Sequence, residues 1–147
     1  MSEPRLNPFQ AVRLSLTRTF DFRGRSRRSE YWWTMLVFVA IGLPLVLLDE
    51  FLFAGQWESQ NSHGWAGFVG YLRYYPISSI FEWLTLIPLV SLGMRRLHDI
   101  GRTGWWALIG LIPILGLIVL IIFAATEGNR GRNEYGSDPK ETDEAYA

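Results

Sequence analysis

An all-α, polytopic membrane protein is the fold class this sequence predicts, and three uncharged stretches predict it. From Tyr31 to Leu48 eighteen residues pass without a charge. From Tyr74 to Met94 there are twenty-one, broken only by Glu82, and from Thr103 to Thr126 twenty-four with none. A helix rises about 1.5 Å per residue, so ~20 apolar residues cross a hydrocarbon layer about 30 Å thick. The averages hide this: 49% hydrophobic and 19% charged residues would also suit a soluble domain, and only their segregation discriminates. Three buried helices of a soluble bundle would need polar outer faces that these runs lack. The 147 residues leave room for one domain, and the absence of Cys excludes disulfides and thiolate metal sites. No metal, cofactor or nucleic acid is expected.

Charge sets the expected orientation. Seven Arg precede the first run, and Arg95, Arg96 and Arg102 follow the second, whereas the loop from Asp49 to Arg73 has a single Arg. Basic residues mark the cytoplasmic side and acids count for little. The N-terminus and the Arg95–Trp106 turn are therefore expected in the cytoplasm, with the Asp49–Arg73 loop outside. Thirty mostly polar residues precede the first run, so it is expected to remain as an anchor and not to be a cleaved leader.

Taken in order, residues 7–21 are expected to form an interfacial amphipathic helix. Asn7 and Pro8 suit its N-cap and first turn, and Phe9, Val12, Leu16 and Phe20 recur at spacings of three and four. A cap packed on the loops, as in a soluble protein, is the alternative. The first span, 31–54, opens on Tyr31, Trp32 and Trp33, rings suited to the membrane interface, and bends near Pro44. The Gly-rich loop beyond it contains Trp57, Trp65 and Phe68, which could dip into the outer interface, and His63, which has no second ligand nearby. In the second span, 74–94, Ser78, Glu82 and Thr85 share one helix face. An intramembrane carboxylate is functional by default, although Glu82 is only about seven residues from the outer end, where water can reach it.

The third run, 104–125, contains Gly110, Pro113 and Gly116 near its middle. A kinked but complete crossing is the default expectation. A re-entrant hairpin is the alternative, and would place 13 of the 14 basic residues on the cytoplasmic side. Bent backbone at membrane depth must be covered by protein. Residues 126–139 are rich in Gly, Asn and Asp-Pro and should form an ordered, turn-rich tail, with 140–147 a loose acidic end. If that tail packs on the arginine motifs, it is cytoplasmic.

The turn "RRLHDIGRTGWW" carries the remaining candidates. Arg95 and Arg96 complement a helix C-terminus, Gly101 permits a reversal, Thr103 can cap the next helix, and Trp105 and Trp106 are interface anchors. Asp99 among arginines, facing Arg25–Arg28 and Glu30, suggests an ion-pair network between segments. His98 and Asp99 are weak catalytic candidates, because adjacent residues rarely aim at one point and no nucleophile accompanies them.

Three motifs in order resemble a known family. They are Phe22-Arg23-Gly24-Arg25-Ser26-Arg27-Arg28 with Glu30-Tyr31-Trp32; Arg95-Arg96-Leu97-His98-Asp99 with Gly101-Arg102-Thr103-Gly104-Trp105-Trp106; and Gly128, Gly131, Asn133, Tyr135, Gly136, Asp138 and Pro139 in the tail. Together, from about Phe22 to Pro139, they are similar to the bacterial inner-membrane family catalogued as domain of unknown function 805. The resemblance implies membrane location and fold, and the family has no established activity to transfer.

The leading functional expectation is a non-enzymatic binding or scaffold role. Arg25, Arg27, Arg28, Arg95 and Arg96 would contact anionic lipid head groups or a partner, in a homo-oligomer or with another membrane protein. The alternatives are an oligomeric transporter or channel subunit using Glu82, and an interfacial enzyme using His98 and Asp99.

Overall fold

A computed structural model describes residues 6–53 and 75–141. Five helices occur among them: α1 Pro8–Thr17, α2 Arg28–Phe53, α3 Pro76–Asp99, a 3₁₀ helix Gly104–Leu111 and α4 Leu115–Ala125. The sheet content of the described residues is a single isolated bridge, Asn133 to Gly136. The loop with Trp57, His63, Trp65 and Phe68, and residues 142–147 of the acidic end, lie outside the described residues.

α2 and α3 are long and apolar enough to cross a membrane. Their most apolar windows are only 11% and 33% buried, whereas the core helix of a soluble protein would be mostly covered. Burial is inverted generally. Among the described residues six hydrophobic side chains are buried against fifteen polar or charged ones, while Leu47, Phe51, Trp83, Leu84, Leu111 and Leu117 stand exposed. Water would penalise such a surface and hydrocarbon would not.

Helix boundaries differ from the sequence expectation in informative ways. α1 stops at Thr17 rather than near residue 21, because the Ser91 hydroxyl takes the carbonyls of Arg18 and Asp21 at 3.0 and 2.8 Å. Its start is a capping box: the Asn7 side chain accepts from Gln10 N–H, and the Gln10 side chain accepts from Asn7 N–H. α2 begins three residues early, at Arg28, and runs through Pro44. α3 continues five residues past Met94, so Arg95 to Asp99 are its last turns and not part of a linker. Gly101, at φ 70°, then closes it as a Schellman motif, with Gly101 N–H on His98 O and Arg102 N–H on Leu97 O. Thr103 holds the N-cap position of the 3₁₀ helix, but its side chain makes no capping bond.

The third run folds back on itself in two segments. It forms the 3₁₀ helix, reverses at Ile112–Ile114, where Ile114 has φ 63°, and returns as α4 packed on the 3₁₀ helix. The two ends meet: Trp106 and Phe123 pack edge to face at 5.6 Å. Gly116 permits this, since a Cβ there would overlap the Ile109 carbonyl. Hydropathy does not separate a kinked span from a hairpin, because both need the same apolar composition.

The chain divides into two compact units, Met1–Leu36 with Ile87–Ala147, and Val37–Leu86. In the second unit the buried Asp49 of α2 caps α3, accepting from Ile77 N–H at 3.2 Å and Ser78 N–H at 2.7 Å. This satisfies orphan donors at the start of a helix from a neighbouring helix. Phe38 and Phe81 pack edge to face at 6.1 Å beside Gly42. The expected common inward face is only partly present: Ser78 and Thr85 are buried, while Glu82, about 60° round the helix from Thr85, is exposed. The first unit holds the candidate site.

Candidate functional site

The first arginine motif crosses from α1 to α2 as a short irregular strip, and Ser26 N–H pins it to α3 by donating to Arg95 O at 3.2 Å. Arg25 then lies beside the end of α3. Its Nε donates to Asp99 Oδ1 at 2.9 Å, and its Nη atoms donate to the carbonyls of Asn129, Gly131 and Gly136 in the tail. Arg96, one turn before Asp99, gives Nη1 to Asp99 Oδ2, Nε to Ala124 O at 3.1 Å and Nη2 to Thr126 O. Arg27 Nε donates to Pro139 O at 2.6 Å. Arg95 pairs with Glu30 at 3.1 Å, and Glu30 also accepts from the Ser26 hydroxyl at 2.6 Å. Arg25, Arg27, Arg95, Arg96, Glu30 and Asp99 are all buried.

A guanidinium carries five N–H donors in a planar fork. Glu30 pairs with Arg95, and Asp99 is shared by Arg25 and Arg96, whose other bonded nitrogens reach peptide carbonyls. Two carboxylates thus face three cations, and Arg95 Nε and Nη2 are buried without a hydrogen-bond partner. The carbonyls of Ala124 and Thr126 belong to the end of α4, where four C=O groups lack intrahelical partners. Arg96 therefore caps a helix that is not its own. Buried charge is tolerable only when paired and hydrogen-bonded, and here the pairing ties three distant stretches of chain into one knot.

The tail is built to receive these donors. Asn129 N–H donates to Asp99 O at 2.8 Å, and Asn133 and Gly136 exchange backbone bonds in a tight turn. The buried Asp138 folds the hook by accepting from Gly131 N–H and Lys140 N–H, each at 3.0 Å. Gly128 passes so close to the Asp99 carboxylate that any Cβ would overlap it. Tyr135 stacks on His98 with parallel rings 4.1 Å apart, and Asn133 Nδ2 donates to His98 O at 2.9 Å.

This geometry bears on two expectations. Of the five arginines expected to face head groups or a partner, Arg25, Arg27, Arg95 and Arg96 are buried and turned into the knot, and only Arg28 is exposed. Sequence shows the donors but not the acceptors, because backbone carbonyls carry no residue signature. The second concerns His98 and Asp99. Both Asp99 oxygens are taken by Arg25 and Arg96, while His98 Nδ1 lies 3.2 Å from Gly24 O under the Tyr135 ring. A carbonyl only accepts, so Nδ1 carries the proton. The two side chains therefore face different partners, Asp99 the two guanidiniums and His98 the Gly24 carbonyl and the Tyr135 ring. Among the described residues no group of three His, Cys, Asp or Glu could hold a metal ion.

The interface candidates have distinct settings. Tyr31 packs edge to face on Trp32, both Trp32 and Trp33 are exposed, and Trp105 is exposed beside the half-covered Trp106. Arg102 stands outside the ion-pair network, with its guanidinium 5.1 Å from the Trp106 ring and 5.7 Å from Phe123.

The three motifs that meet in the knot also delimit a match to known proteins. Residues 19–137 match the family described as protein of unknown function, DUF805. The chain belongs to the DUF805 family. Among relatives, inner membrane protein YhaH of Escherichia coli strain K12 is 40% identical over 119 residues, covering 81% of this chain and 87% of that one. Inner membrane protein YhaI of the same strain is 35% identical over 119 residues, covering 81% and 86%. No solved structure matches the chain. The DUF805 region contains Arg25, Arg96, Asp99 and the tail carbonyls from Asn129 to Gly136, so nearly all of the knot lies inside the family boundaries. It leaves out the whole of α1, which ends at Thr17.

Proposed function

We propose that this chain is a multi-pass inner-membrane protein with a non-enzymatic binding role, holding anionic phospholipid at the cytoplasmic leaflet on a rigid, knot-braced frame. In this reading α2 and α3 cross the bilayer, and the 3₁₀ helix and α4 form a re-entrant hairpin. The N-terminus, the knot and the tail are cytoplasmic. The names of the relatives support the inner-membrane assignment. The orientation rests on the basic residues, 13 of 14 of which fall on one side once the hairpin returns the tail.

One observation carries the lipid reading: with four arginines locked inside, Arg13, Arg23, Arg28 and Arg102 remain exposed, and so do the large apolar side chains of α1 and the turn after it. On α1 the small residues Ala11 and Ser15 are buried while Phe9, 77% exposed, and Leu16 face outward, and Phe20, three residues past its end, is also 77% exposed. A short helix with its large apolar groups outward is suited to lie in the head-group boundary. Nearby cations each add ~1 kcal/mol of attraction to anionic lipid. A transport role is less well supported, because Glu82 stands exposed on its unit and a polar pathway lined by it would need a second copy.

Two measurements test this. Single Cys at Arg23 and Ser137 should resist a membrane-impermeant maleimide in intact cells and label in inverted vesicles; labelling of either in intact cells overturns the orientation. Phosphatidylglycerol should be enriched over phosphatidylcholine around the purified chain in mixed micelles, and Gln at Arg13, Arg23, Arg28 and Arg102 together should abolish the enrichment. Unchanged enrichment refutes the arginine reading.

A further inference from the structure

Where α2 begins and α3 and α4 end, the first unit contains a groove that the knot does not account for. Its volume is about 230 Å³, and its walls include Tyr31 and Met35 of α2, Leu89 and Gly93 of α3, and Leu120 and Phe123 of α4. Arg96 also lines it, but that guanidinium is already committed to Asp99, Ala124 and Thr126. Pockets for drug-sized ligands and cofactors usually run from roughly 300 to 1,000 Å³ with several convergent polar groups. This one is smaller and almost wholly apolar. Along α3 it extends from Leu89 to Leu97, eight residues or ~12 Å. The space suits a slender hydrocarbon chain.

Gly93 is the second observation. Glycine in a helix interior is destabilising relative to alanine, so it needs a reason. At Gly116, also helical, the reason is the Ile109 carbonyl, which leaves no room for a Cβ. At Gly93 a Cβ would meet nothing within 4 Å, although the residue lines the groove. Among the described residues no packing contact requires a glycine there. The missing side chain keeps a slot open in the wall.

The third observation is charge at one end. Arg28, Tyr31 and Met35 are spaced by three and four and share a face of α2, with Arg28 at the start of the helix. Arg28 Nη1 lies 3.4 Å from Ala125 O, next to Ala124 of the groove lining. Arg102 lies over Phe123, another lining residue. Both arginines are exposed. An apolar slot with two accessible cations at its mouth is complementary to an amphiphile with one anionic end.

We propose that this groove holds one acyl chain of an anionic glycerophospholipid, with the head-group phosphate between Arg28 and Arg102. The proposal rests on the reading that this end of the unit lies at a lipid leaflet. It adds a single, slowly exchanging site to the general attraction of an arginine-bearing surface.

Native mass spectrometry of the full chain, titrated with dioleoyl phosphatidylglycerol or dioleoyl phosphatidylcholine, tests it. One phosphatidylglycerol should bind more tightly than its phosphatidylcholine counterpart by about fivefold per arginine, roughly 25-fold in total. Arg28→Gln with Arg102→Gln should bring that ratio near one. Gly93→Leu, which fills the slot and leaves every arginine in place, should weaken the single site at least ~10-fold for both lipids. Because a leucine there has room, the delipidated variant should melt no lower than delipidated wild type. Undiminished lipid binding by Gly93→Leu overturns the proposal, as does a lower melting temperature, which would mean that the slot was not open. Conversion of a wild-type dimer to a monomer by Gly93→Leu also overturns it, by assigning the groove to a second copy. Gly93→Leu should keep the general phosphatidylglycerol enrichment; loss of that enrichment in wild type itself counts against the proposed function rather than the groove.

Discussion

Replacing Asp99 with Asn removes the one carboxylate that both Arg25 and Arg96 contact. The side chains involved are buried, so water cannot take over its role. Breaking a buried pair by deleting one partner typically costs ~3–5 kcal/mol, because the other charge stays desolvated. Here two guanidiniums would be left facing an amide whose NH₂ group is itself a donor. For a chain of this length ~1 kcal/mol corresponds to about 2–4 °C in melting temperature. Asp99→Asn is therefore expected to melt roughly 6–20 °C below wild type. His98→Gln loses the Nδ1 contact with Gly24 O and the stacking on Tyr135. Together these are worth only about 1–3 kcal/mol. Scanning fluorimetry of both variants in one detergent, at matched expression, makes the comparison. If Asp99→Asn shifts the midpoint by less than His98→Gln, the knot does not hold the fold as described.

Three further outcomes are expected. Gly116→Ala should lower the melting temperature by more than Gly110→Ala, because its Cβ strikes the Ile109 backbone, whereas at Gly110 it meets only the movable end of Leu120 at 2.9 Å; the reverse order refutes the hairpin packing. Glu82→Gln should leave membrane insertion and thermal stability intact, since the side chain is exposed on its unit, and a collapse in expression would show it to be structural. Asp21 tests pH dependence. Partial burial pushes its pKa up, but the Arg18 ion pair and the Arg23 N–H outweigh this and hold it below 3.8. Its contribution is thus complete above that value and disappears as pH falls through the lowered one. Wild type should exceed Asp21→Asn in melting temperature near neutrality and converge with it in acid; a constant gap at every pH refutes the assignment.

Much of the helical architecture is legible because its causes are local. Charge-free runs of the right length announce α2 and α3, and Asn7-Pro8 announces the start of α1, whereas α3 runs five residues beyond the Met94 end that its charge-free run suggests. What escapes is what depends on partners far along the chain. Asp49 reads as the first residue of an outer loop, yet it caps α3 through Ile77 and Ser78. The third run reads equally well as a crossing or a hairpin, since the deciding contact, Gly116 against Ile109 O, is a matter of backbone approach. The candidate site is legible only in part. Asp99 among arginines points to an ion-pair network, but which arginine takes which acceptor depends on tail carbonyls more than a hundred residues from Arg25.

That separation has a consequence for the order of events in synthesis. Arg25 and Arg27 reach acceptors 104 to 112 residues downstream, in a stretch made only after α2 and α3. In the proposed topology, while the first span inserts, these arginines have no tail acceptors and stay hydrated, in the state in which positive charge directs orientation. Once the hairpin and the tail emerge, the same side chains are taken out of water and bound. The arginines thus act twice, first as a transient address and then as permanent bolts. In the proposed topology the second role begins only when the first has ended, so the knot would also check that topology: a chain inserted with its tail on the opposite side would have no means of closing it.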